Sequence, residues 1–88
     1  MIIKFDYLIF SNLPKLQELE IGEGCLNEVK DNLLIENYPN LEKIVLKNYS
    51  LKNLNLLKIC NNKKLKTIEI ENGALLDVKN VTIESISI

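Results

Sequence analysis

Apolar positions recur along this chain in two alternating spacings. The first spacing, Asn-x-x-x-Leu-x-x-(Leu/Ile)-x-(Ile/Leu), is carried by Asn12, Leu16, Leu19 and Ile21, by Asn37, Leu41, Ile44 and Leu46, and by Asn61, Leu65, Ile68 and Ile70, at periods of 25 and 24 residues. The second lies between these copies: Phe5-x-x-Leu8-x-Phe10, Leu54-x-x-Leu57-x-Ile59 and Val78-x-x-Val81-x-Ile83, with Val29, Leu33 and Ile35 matching once one extra residue is allowed. Each period therefore divides into two similar halves. The endings Leu19-x-Ile21, Ile44-x-Leu46 and Ile68-x-Ile70 alternate apolar with polar and favour isoleucine, as a short strand with one buried face does. The spacing predicts strands near residues 16–21, 41–46 and 65–70, and a second series near 5–10, 30–35, 54–59 and 78–83.

A fixed period with equivalent strands is the signature of a repeat architecture, in which each unit buries its apolar face only against its neighbours. The expected fold is a mainly β repeat solenoid, a right-handed coil of about 3.5 turns of 24 to 25 residues with two short parallel sheets and little helix. Residues 1–88 form one such domain, or a stretch of a longer array. Connectors Gly24-Cys25-Leu26, Tyr49-Ser50-Leu51 and Gly73-Ala74-Leu75 have room for single helical turns, their small middle residue lining a tight inner corner. Stacked at one corner, Asn12, Asn37 and Asn61 can hydrogen-bond between turns and tolerate left-handed backbone; a row of amides that binds a ligand is the other reading.

Composition narrows the chemistry. Histidine and tryptophan are absent and all eleven basic residues are lysine, which removes imidazole catalysis, histidine metal ligation and arginine forks. A net charge of −1 gives no electrostatic footprint for nucleic acid or an anionic membrane. Cys25 and Cys60 are too few for a disulfide framework or a familiar zinc spacing, and no stretch is apolar for the roughly 18 to 20 residues that cross a bilayer. Lys4 and Asp6 interrupt the first apolar run, so no secretory signal is read. The chain reads as cytoplasmic by default, or as cell-surface if part of a longer exported protein. No catalytic, cofactor or metal residues are expected. Glu18 and Glu20 put two carboxylates on one sheet face about 7 Å apart, but that face is open to water. Cys25 has no histidine to activate it, and Gly22-Glu23-Gly24 is too short to cradle phosphates.

The Leu-x-x-Leu-x-Ile pattern, four residues after an asparagine, resembles the leucine-rich repeat superfamily. Its small-apolar pairs, Cys25-Leu26, Ser50-Leu51 and Ala74-Leu75, are similar to the BspA-like repeats of bacterial and protist surface proteins. The positions after Ile21, Leu46 and Ile70 are Gly22, Lys47 and Glu71, where the family has asparagine or cysteine. The resemblance implies a non-enzymatic module that binds a protein through an exposed sheet face. On the first sheet the outward positions are Glu18, Glu20, Lys43, Val45, Thr67 and Glu69. On the second, Tyr7, Ile9, Leu34 and Leu56 make a partly apolar stripe, a contact surface or the seat of a loop. Neither end reads as capped: the first strand motif starts within five residues of Met1, and Ile86 and Ile88 follow the last. The second functional reading is thus a structural protein whose uncapped ends drive dimer or filament formation. The expected partner is another protein or a second copy, with no nucleic acid and no membrane.

Overall fold

The computed structural model describes residues 2–5 and 15–84. It is mainly β: β1 (Ile2–Phe5), β2 (Glu18–Ile21), β3 (Asn32–Glu36), β4 (Lys43–Leu46), β5 (Leu56–Cys60), β6 (Thr67–Ile70) and β7 (Asn80–Ile83). There is no helix among the described residues. The strands form two parallel sheets, one ordered β1-β2-β4-β6 and the other β3-β5-β7. From β2 onward the chain alternates between them, strand by strand.

The period along the sequence is the register across each sheet. Leu19, Ile44 and Ile68 are level in the first sheet, as are Ile21, Leu46 and Ile70; Leu33, Leu57 and Val81 are level in the second, as are Ile35, Ile59 and Ile83. A slip of one residue would turn each of these columns to the other face, so burial on one face holds the register. Leu16, Leu41 and Leu65 close the core between the sheets, together with Leu26, Leu51, Leu54 and Tyr38.

The connectors are turns rather than helical turns. The amides of Cys25, Ser50 and Ala74 donate to the carbonyls of Gly22, Lys47 and Glu71 at 3.1 to 3.2 Å. The third residue of each turn, Gly24, Tyr49 or Gly73, has positive φ, as a type II turn requires. Ser50 at the inner corner is buried and bonds the Lys47 carbonyl through Oγ at 2.8 Å, while Cys25 and Ala74 pack against the core. Leu26, Leu51 and Leu75 then take φ of 61°, 51° and 59°. Left-handed backbone costs a leucine about 1 to 2 kcal/mol. All three side chains are buried, which offsets that cost, and the amides of Leu51 and Leu75 each bond a carbonyl of the preceding corner, Cys25 or Ser50, at 2.9 to 3.0 Å.

Two further sequence expectations need adjustment. The second-series strands begin later than 30, 54 and 78, because the amides of Val29, Leu54 and Val78 close turns on the carbonyls of Leu26, Leu51 and Leu75. Phe5 was expected to open a strand of the second sheet; instead β1 joins the first sheet, with Ile3 level with Leu19 and Phe5 with Ile21. The apolar alternation of Ile3 and Phe5 suits either sheet, and the offset here is 16 residues rather than 24 or 25; the rest of 5–10 lies outside the described residues, as does Asn12. The extra residue is confined to one corner. Lys52 pairs with Asn27 at an offset of 25, whereas the Asn55 amide pairs with Asp31, an offset of 24.

The two left-handed glycines separate two costs. A side chain at Gly24 would meet nothing within 4 Å, whereas one at Gly73 would overlap the Tyr49 ring. Gly24→Ala is expected to lose about 1 to 2 kcal/mol, the strain of positive φ alone. Gly73→Ala is expected to lose more by thermal or urea unfolding, and Tyr49→Ala in the same chain should recover the excess. Equal losses at the two glycines would count against ring packing at that corner.

Candidate surfaces and the open end

Five of the six outward positions on the first sheet reach solvent: Glu18, Glu20 and Lys43 are half-buried, and Thr67 and Glu69 are exposed. Val45 does not. It is only 4% exposed yet lies outside the core cluster, so it offers little surface of its own on that face. Its register neighbours are Glu20 and Glu69, and the Lys43–Glu69 ion pair, 3.5 Å between Nζ and Oε1, runs beside it. Long charged side chains cover apolar surface with their stems while their heads stay in water. Lys47–Glu71 and Lys66–Glu42 tie the same neighbouring repeats together at 3.5 and 3.8 Å. With both partners substantially exposed, each pair stabilises by less than about 1 kcal/mol.

On the second sheet, Leu34 is level with Lys58 and Thr82, and Leu56 with Asn32 and Asn80. Leu34 is exposed and Leu56 half-buried. The two lie diagonally on neighbouring strands, interrupted by polar residues. Tyr7 and Ile9 lie outside the described residues.

The asparagine corner is built as a ladder. Asn37 and Asn61 both have positive φ, and the Asn61 Nδ2 donates to Asn37 Oδ1. Beside them is a residue that sequence reasoning missed. Asn62 is buried, its Nδ2 donating to the Ile35 carbonyl at 2.9 Å and its Oδ1 accepting from the Tyr38 amide at 2.9 Å. It occupies the position that Tyr38 fills one repeat earlier, so the repeat comparison shows a polar residue in an apolar slot. At the end of the second sheet, the Cys60 thiol donates to Glu36 Oε2 at 3.0 Å. That hydrogen bond, with burial and the carboxylate's charge, holds the thiol above its ordinary pKa, which disfavours the thiolate a nucleophile needs. Among the described residues, no group of three His, Cys, Asp or Glu side chains is placed to hold a metal ion.

Among the described residues, three exposed apolar side chains stand in core columns at one end of the stack. Ile70, Val81 and Ile83 are 47%, 44% and 38% exposed, although Leu46, Leu57 and Ile59, one repeat earlier in the same columns, are fully buried. β6 and β7 are the edge strands there among the described residues, so a strand edge of each sheet borders the apolar patch. At the opposite edge of the second sheet, Leu33 and Ile35 are buried, so in that sheet the exposure is one-sided. Repetition places an inward apolar residue in every strand, but which repeat stands last among the described residues is a property of the stack. No protein-family model, curated protein or solved structure matches the chain.

Proposed function

We propose that this chain is a non-enzymatic, self-associating repeat module, a leucine-rich-repeat-like right-handed solenoid of about 3.5 turns, and that the open end at β6 and β7 is its binding surface. One observation carries the reading: Ile70, Val81 and Ile83 are exposed at positions whose counterparts one repeat earlier are fully buried. Among the described residues, the end therefore has the apolar pattern of an interior layer at its surface. Repeat arrays that leave such a layer bare gain stability and solubility by covering it. The offset of 24 to 25 residues in the turns and strands from β2 onward supports the coil. Glu18, Glu20, Lys43, Thr67 and Glu69 give the second reading, a polar sheet face that binds another protein; it has no aromatic anchor of the kind that dominates tight interfaces.

Light scattering coupled to size exclusion, across a hundredfold concentration range, tests the proposal. The expected result is a mass that rises with concentration above the 10.1 kDa of one chain, and a return to that mass on Ile83→Lys. A monomer at every concentration would overturn self-association and leave the polar sheet face as the binding surface.

A further inference from the structure

We propose that the end at β6 and β7 takes a second copy of this chain head to tail, with that copy's β1 joining the outer edge of β6 in parallel. This rests on the self-association reading above and names its geometry. β1 and β6 are the two edges of one parallel sheet. A copy displaced along the stacking direction presents its β1 to β6 in the same sense as every pair already in the sheet. The existing registers, carried one strand further, set Thr67 level with Ile2, Ile68 with Ile3, Glu69 with Lys4 and Ile70 with Phe5.

The sequence of β6 matches what β1 already accepts. Within one chain β1 pairs with β2, whose Leu19, Glu20 and Ile21 stand level with Ile3, Lys4 and Phe5. β6 repeats that order as Ile68, Glu69 and Ile70. Head-to-tail addition therefore places a lysine level with a glutamate and apolar positions level with the half-buried Ile68 and the exposed Ile70, while edge amides and carbonyls gain partners. A two-fold pairing of β6 with its own copy is antiparallel, and matching Ile68 to Ile70 there sets Glu69 opposite Glu69. Like charges directly opposite disfavour that arrangement. The favoured contact is heterologous and does not close on itself, so it grows into chains rather than stopping at a dimer.

Single-cysteine crosslinking tests the geometry. In a Cys25→Ala/Cys60→Ala background, Lys4→Cys and Glu69→Cys chains are oxidised separately and mixed. The expected outcome is a covalent dimer in the mixture, little from either chain alone, and a ladder of bands from the chain carrying both. Self-crosslinking of Glu69→Cys as efficient as the mixed reaction would establish tail-to-tail packing and overturn the proposal. So would no mixed product from proteins that light scattering shows to associate. A monomer by scattering would overturn the self-association reading itself. Glu69→Lys, with its fold checked by circular dichroism, gives a readout without cysteines: the dissociation constant is expected to rise about tenfold, and an unchanged value would overturn the proposed register.

Discussion

Asn62→Ala is expected to lower the free energy of unfolding by about 2 to 4 kcal/mol, read from urea unfolding. The side chain is 1% exposed and makes two hydrogen bonds, one to the Ile35 carbonyl and one from the Tyr38 amide. Alanine leaves a backbone acceptor and a backbone donor without their partner in a buried corner, and each orphaned group costs about 1 to 3 kcal/mol. The neighbouring Asn61→Ala is the control. Asn61 is exposed and its amide bonds another exposed asparagine, so its loss should cost no more than about 1 to 2 kcal/mol, mostly from left-handed backbone. An Asn62 variant no less stable than the Asn61 variant would mean that the buried bridge contributes nothing net.

The second large effect separates two equivalent positions. Leu46→Ala, in the fully buried column of the first sheet, is expected to cost about 2 to 5 kcal/mol at any protein concentration. Ile70 stands one strand along in the same column and is 47% exposed, so in dilute solution Ile70→Ala should cost only about 1 to 2 kcal/mol. The proposed self-association would bury Ile70, so its cost should climb toward the Leu46 value as concentration rises, because binding to the native state adds to apparent stability. A cost at Ile70 that stays constant over a hundredfold range would argue that nothing covers that end.

Much of this architecture is legible in the sequence because both of its periods are local. Leu19, Ile21, Ile44 and Leu46 announce strands by alternation, and the 24-residue offset announces which strands lie side by side. The one-residue insertion before Leu33 could be placed from the spacing alone. Alternation does not say which sheet a strand joins, which is why Phe5 was assigned to the wrong one. Nor does it reveal a left-handed leucine: Leu26, Leu51 and Leu75 carry a backbone preference against their φ, and only the tertiary burial of their side chains selects it. Val45 alternates with the buried Ile44 and Leu46 and lies outside the core cluster, but pleat direction alone does not say how little of it reaches solvent. The exposure of Ile70, Val81 and Ile83 was not legible, since in sequence they look like every other core position.

The corner between Asn27 and Asp31, where the offset changes from 25 to 24, has a practical meaning. Both strand registers resume unchanged on either side of it, so this loop absorbs length without transmitting it. An engineer seeking a place to graft a foreign segment would choose this joint first, since here the chain already carries an added residue and the sheets on either side keep their alignment.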